Sequence, residues 1–230
     1  MAYEKLFNEI YAAVSLKYLW QDYVPGFVKS ESPDWLNDAM DLGLEVSQAL
    51  LPDDGQAERF IEQYLGRRKE ELPKSAFERY GERLYFYNGR FWAVLPEPGQ
   101  QQDYLYKAKF RFDRKLEKLN TNYQHRRYNA LYLFLHPSDE TDIDAKQLFE
   151  YMGRAQEKKK SQFGWVFLNC GNMIHVCNYV KNTLETIPLP QKAEHFLNTE
   201  SDRLRNGSEW EDGMSLEEAY RSCRTNSEKF

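Results

Sequence analysis

An α/β fold, with a mixed central sheet and flanking helices, is what this sequence predicts, and three observations predict it. A helix-period segment opens the chain. Short apolar runs then alternate with further helical patterns, the signature of helices packed on a sheet. One run, Asn129–His136, is continuously apolar between polar flanks, as in a strand buried on both faces. At 230 residues and 15% aromatic content the chain can bury a sizeable core without staples. The expected organisation is one α/β domain over residues 1–206, followed by a polar, loosely attached tail, 207–230.

In chain order, Tyr3, Phe7, Ile10, Val14 and Tyr18 form one helical stripe. Ala13, Leu16 and Trp20 form a second, so a helix over 3–22 should be buried on two sides before Pro25-Gly26 ends it. Strand-like runs follow at 26–29 and 42–50, with a loop holding Asp34 between them. Pro52-Asp53-Asp54-Gly55 starts a helix over 56–71, with Phe60, Ile61, Tyr64 and Leu65 inside. Leu84–Tyr87 and Arg90–Leu95 flank Asn88-Gly89, the dipeptide suited to a type I′ hairpin turn. Pro96–Gln102 reads as a loop, 104–123 as a long helix and 129–136 as the buried strand. A helix over 142–160, strands over 163–170 and 173–179, a further strand at 183–189 and a helix over 191–204 complete the domain. In the tail, Ser215 and Glu218 have capping-box spacing for one short helix.

Composition excludes several classes. No apolar run reaches the roughly 18 residues of a membrane span, and Met1–Lys5 lacks the pattern of a signal peptide. Cys170, Cys177 and Cys223 are too few for a disulfide framework, so a cytoplasmic location is expected. There is no phosphate-binding glycine loop. Cys170, His175 and Cys177 lack zinc-site spacing and read as buried structural residues. His125, His136 and His195 are scattered singly. Net charge is −5, yet Lys107, Lys109, Arg111, Arg114, Lys115, Lys118, Arg126 and Arg127 face only Asp113 and Glu117 between 104 and 127. Such a strip can bind phosphates; a solvated helix face explains it equally well. Lys158-Lys159-Lys160 ends a helix, where cations favour the dipole.

The chemistry concentrates at Ser32-Pro33-Asp34-Trp35 and Leu44-Glu45-Val46-Ser47. In a strand Leu44 and Val46 face one way while Glu45 and Ser47 face the other. A carboxylate so flanked is at least partly buried and needs a cation, donors or a metal. Two converging carboxylates are hard oxygen ligands suited to Mg²⁺ or Mn²⁺. The bland alternative is a turn aspartate and a strand glutamate paired with an arginine.

These residues resemble the PD-(D/E)XK nuclease superfamily, whose first acid matches Pro33-Asp34 and whose (D/E)-X-K element matches Glu45-Val46-Ser47. By topology the resemblance covers roughly residues 3–136, and it implies a restriction-endonuclease-like core. It further implies metal-assisted phosphodiester hydrolysis, with Asp34 and Glu45 holding Mg²⁺ or Mn²⁺; DNA is expected as substrate ahead of RNA. Ser47 stands where the family has lysine. Some members recruit that lysine from a helix, and Lys115 is the candidate here: it falls about 60° from the centre of the stripe Phe112, Leu116, Leu119 and Tyr123. Its stem can be covered while its ammonium reaches out; a surface lysine pairing with Asp113 or Glu117 is the competing reading. Glu9, on the first helix, is a candidate third acid, against an exposed glutamate. Gln48 is a further candidate at the strand end. Lys107, Arg111, Arg114 and Lys118 are the candidate nucleic-acid contacts.

The leading expectation is therefore a metal-dependent nuclease. A catalytically inactive nuclease fold that binds nucleic acid or protein is the alternative, supported by Ser47, and an unrelated protein-interaction module is a third. A homodimer is compatible with the sequence, which fixes no oligomeric state.

Overall fold

The computed structural model describes residues 2–50, 52–95, 104–121, 126–135 and 144–227. The chain opens with α1 (Ala2–Leu19), β1 (Phe27–Lys29), β2 (Trp35–Asn37) and β3 (Leu42–Gln48). Next come α2 (Pro52–Tyr64), α3 (Lys74–Tyr80), β4 (Leu84–Tyr87) and β5 (Arg90–Val94). The remainder is α4 (Tyr104–Thr121), β6 (Tyr128–Phe134), α5 (Ala145–Gln156), β7 (Trp165–Asn169), β8 (Met173–Asn178), β9 (Thr183–Pro188), α6 (Gln191–Gly207) and α7 (Leu216–Ser227). The fold is α/β, around a seven-stranded mixed sheet in the order β1-β2-β3-β6-β7-β8-β9. β3, β6 and β7 run parallel, and the outer pairs are antiparallel.

Strand alternation divides the core into two layers. Leu42, Leu44 and Val46 of β3 and Ala130, Tyr132 and Phe134 of β6 pack with α1, α6 and α7. Leu131, Leu133 and Leu135 face the other way, with Phe112, Leu116 and Leu119 of α4 and Leu148 and Met152 of α5. The apolar run at β6 is thus buried on both faces, from Asn129 to Leu135. Residues Glu9–Leu16 of α1 are all buried, as two apolar stripes require. Tyr18, assigned to one of those stripes, is instead half exposed and packs edge-on against Phe196.

Two compact units are resolved rather than the single domain expected: Met1–Ala49 with Tyr104–Phe230, and Leu50–Asp103. The smaller unit has its own core of Ala57, Leu72, Ala76, Tyr80, Leu84 and Phe91. Its expected helix over 56–71 stops at Tyr64, because Gly66 takes a left-handed φ of 76°, a common helix terminator. Leu65, placed inside by the sequence pattern, is exposed. The hairpin turn is as expected, with positive φ at Asn88 and Gly89. The segment 207–230 differs from a loose tail: Leu216, Ala219 and Cys223 of α7 are buried in the main core. Its capping box does form, Ser215 N–H donating to Glu218 Oε2 (2.8 Å) and Glu218 N–H to Ser215 Oγ (3.2 Å). Among the described residues no helix is long and apolar enough to cross a membrane.

β2 is a strand where a loop was expected; three residues are too few to show a period. It pairs with both β1 and β3, and Trp35 is fully buried. Gly43 permits the close approach of the Asp34 segment: a Cβ there would stand 2.7 Å from Pro33 Cγ. The proline ring cannot swing aside as a flexible side chain would. Gly43→Ala should therefore cost about 1–3 kcal/mol in urea-monitored unfolding, with the midpoint lowered and the slope kept.

Candidate functional site

The site forms in the main unit, where the start of β2 meets β3. β2 and β3 are antiparallel, with Trp35 opposite Leu44, so Asp34 comes beside Glu45. The Val46 N–H donates to Asp34 Oδ2 at 2.7 Å, locking this carboxylate onto β3. Glu9 arrives from α1, whose backbone is tied to β2 by Trp35 Nε1–H donating to the Glu9 carbonyl at 2.9 Å. Glu9, Asp34 and Glu45 are 3%, 3% and 6% exposed. Three carboxylates buried in one place require compensating charge.

Three lysines from three elements supply it. Lys115 of α4 pairs with Glu45 Oε1. Lys29 of β1 pairs with Glu9 Oε2 at 2.9 Å, and its ammonium also donates to the Ser30 carbonyl at 2.9 Å. Lys5, one helical turn before Glu9, lies 3.2 Å from Glu9 Oε1 and 3.6 Å from Asp34 Oδ1. Lys115 and Lys29 are largely covered, whereas Lys5 is mostly exposed. Burial pushes the Asp34 carboxyl up to about 7, with Glu45 and then Glu9 adding to the rise and the Val46 N–H opposing it. For Lys5, burial acts to depress the ammonium pKa, but Glu9, Asp34 and Glu45 outweigh it and leave it raised.

The candidates read from the sequence fall as follows. Asp34, Glu45 and Lys115 converge. Glu9 joins them, and its exposed alternative is overturned by its burial. Lys115 does not pair with its helix neighbours: Asp113 accepts from the Tyr151 hydroxyl, and Glu117 lies 3.7 Å from Arg114. Among the described residues the ion-pair partner of Glu45 is Lys115, not an arginine. Ser47 and Gln48 are partly buried at the end of β3. Arg111, Arg114 and Lys118 line an open groove together with Lys115. The Arg111 guanidinium is lowered from its ordinary pKa by burial and then by Arg114. Lys107 lies two turns before Lys115 on α4 and is partly buried. Tyr123, His125 and His136 fall outside the described residues.

Lys29 and Lys5 were missed. Lys29 sits two residues after the fully buried Phe27, so strand alternation gives both one face. Lys5 stands at i−4 from Glu9, the spacing of a helical ion pair. Both signals were present, but each needed the site to give it meaning.

Cys170, His175 and Cys177 are buried, as expected for structural residues. Burial pushes both thiols up to about 12 and lowers the imidazole. Among the described residues, no three His, Cys, Asp or Glu side chains adopt a metal-holding arrangement; lysine ammoniums sit among the carboxylates instead. The donor chemistry nevertheless suits a hard cation: Mg²⁺ is often held by one or two carboxylates with water completing the shell, which Asp34 and Glu45 can supply. Glu9 Oε1 is buried without a hydrogen bond, with the Lys5 ammonium 3.2 Å away. Comparison with protein-family models, curated proteins and solved structures found no match to this chain.

The raised Asp34 pKa has a definite sign. A carboxyl at about 7 in the fold and 3.8 unfolded binds its proton more tightly when folded. Stability from this group is greatest below pH 4 and is lost as pH rises toward 7, at up to about 1.4 kcal/mol per pH unit. In chelator, Asp34→Asn should flatten that slope between pH 4.5 and 7, as measured by urea unfolding at a series of pH values; an unchanged slope would show that another group carries it.

Proposed function

We propose that this protein is a metal-dependent nuclease of the PD-(D/E)XK kind, hydrolysing phosphodiester bonds of nucleic acid. One observation carries the reading: Asp34, Glu45 and Lys115, from β2's start, β3 and α4, meet in a buried cluster despite lying far apart in sequence. The order α1, β1 to β3 with the two acids, then α4 and β6 parallel to β3, fits the core that the resemblance implies. The preference for DNA over RNA rests on that resemblance alone.

In this reading Asp34 and Glu45 hold Mg²⁺ or Mn²⁺, which when bound activates water and offsets charge on the phosphate. Asp34, whose carboxyl is raised to about 7, would have to be ionised to serve as a ligand. Lys115, beside Glu45, would offer its ammonium to a phosphoryl oxygen, where charge grows as the phosphorus–oxygen bond breaks. The Val46 N–H keeps Asp34 in register throughout. Lys29 and Lys5 hold Glu9 in place beside the pair. Arg111, Arg114 and Lys118, lining the groove with Lys115, receive the flanking backbone.

A nuclease fold without turnover is the second reading, favoured by Ser47 in place of the motif lysine. Cleavage assays on plasmid and single-stranded DNA and on RNA separate the two. The nuclease reading expects cleavage with Mg²⁺ or Mn²⁺ that stops with chelator, is abolished by Asp34→Ala or Glu45→Ala, and falls at least about 100-fold in kcat for Lys115→Ala. Metal-independent cleavage, or full activity in both acid variants, would sink it; binding with no cleavage under any metal would favour the second.

A further inference from the structure

Two basic stretches separated in sequence close on one pocket. Arg126 and Arg127, just before β6, meet Lys159 and Lys160, just after α5, around Asn129 and Gln162. Four cations line it, and among the described residues none of its lining groups is a carboxylate. The sequence pattern explained the 158–160 lysines by the helix dipole alone. That accounts for cations at a helix end but not for a second pair arriving from another strand.

The pocket is also firmly built. Buried Gln156 clasps Phe163 in both directions, its Nε2–H donating to the Phe163 carbonyl (3.1 Å) and its Oε1 accepting from the Phe163 N–H (2.9 Å). Asn120 of α4 does the same for Ser161, both contacts at 3.0 Å. Gly164 N–H donates to the Asn129 carbonyl at 2.8 Å. The loop bearing Lys159 and Lys160 is therefore fixed against α4 and β6. Arg126 pairs with Asp38 at 2.7 Å and lies 3.8 Å from Asp41. Asp38 is well exposed, so that bridge is weak and exchangeable.

Its place relative to the carboxylates is set by the sheet. Gly43 is opposite Asn129, and Glu45 is opposite Leu131. The Arg126 side chain and the Pro33 ring both crowd the point where a Gly43 Cβ would stand, Arg126 Cγ at 3.7 Å. Asp34 follows Pro33. The pocket thus lies on the Glu45 face of the sheet, two residues back along the strands, which is about 7 Å at strand rise before the side chains extend it.

We propose that this pocket is a second backbone-binding site, taking the phosphates of the polynucleotide strand about two nucleotides from the bond at Asp34 and Glu45, by a rise of about 3.4 Å per nucleotide. The proposal rests on the nuclease reading for its ligand. Four cations on a lining without carboxylates, only Arg126 of them bridged to exposed aspartates outside it, suit a repeating polyanion, and continuity with the carboxylate cluster favours nucleic acid over an acidic peptide.

The test is fluorescence anisotropy of a fluorescein-labelled DNA duplex and its single strand, over a salt series with chelator present to prevent cleavage. The double variant Lys159→Ala/Lys160→Ala should bind about tenfold more weakly at moderate salt, regardless of sequence, with the log–log salt slope reduced by about 2. Lys146→Ala/Lys192→Ala, removing two exposed lysines elsewhere, should leave both unchanged. Unchanged binding by the pocket variant, or an equal loss in the control pair, overturns the pocket while leaving the nuclease reading standing. Polyglutamate displacing DNA at equal charge concentration also overturns it, in favour of an acidic peptide. Failure of the unaltered protein to bind any nucleic acid removes the nuclease reading, and the pocket's assigned ligand with it.

Discussion

Burying Glu9, Asp34 and Glu45 together is the constraint on which the rest of the site depends. Each alone would need neutralisation or a partner; three together cannot all remain charged without several cations close by. The chain meets this with ammoniums from α1, β1 and α4, and with a proton shared into the cluster at Asp34. Such an arrangement is costly for stability, since residues of similar volume without charge would pack there at no electrostatic penalty. A cluster whose charges are balanced by lysine ammoniums and a titrating carboxyl is one in which a bound cation would compete for the same carboxylates.

The scaffold explains why the exchange can be local. Asp34 is held by the backbone of β3, and β3 lies between β2 and β6, away from the edge of the sheet. The lysines, in contrast, come on long stems from elements packed around it. Acids fixed on the sheet, with ammoniums reaching in from other elements, are the division of labour that a site needs if cations are to come and go without disturbing the fold. The small unit, Leu50–Asp103, contributes none of these six residues; all belong to the segments on either side of it.

Much of this was legible in the sequence, and what was not has identifiable causes. The two-sided burial of β6 and α1, the hairpin at Asn88-Gly89 and the capping box at Ser215 all follow from periods and turn chemistry, which are local. Asp34 and Glu45 stood out because a carboxylate amid apolar strand residues is anomalous. Lys115 could be singled out by its angle on α4, though nothing local said that Glu45 lay within its reach. β2 escaped because three-residue strands carry too little pattern, and Lys29, on a strand that was expected, escaped because nothing local placed Glu9 within its reach. The separate unit escaped because its boundaries are a matter of tertiary contacts. The burial of α7 did leave a trace: Leu216, Ala219 and Cys223 recur at helical spacing, a stripe that the surrounding charge obscured. The meeting of 126–127 with 159–160 was invisible, since only sheet pairing brings those stretches together.

The central claim, that Asp34 and Glu45 form a divalent-metal site completed by Lys115, is tested most directly by anomalous diffraction from crystals of the full chain soaked in Mn²⁺. The account predicts one strong anomalous peak within bonding distance of an oxygen from each carboxylate, about 2.0–2.3 Å as for hard oxygen ligands, with the Lys115 ammonium withdrawn from Glu45. An absent peak with Lys115 still seated on Glu45, at saturating Mn²⁺ and a pH where Asp34 is ionised, would contradict it.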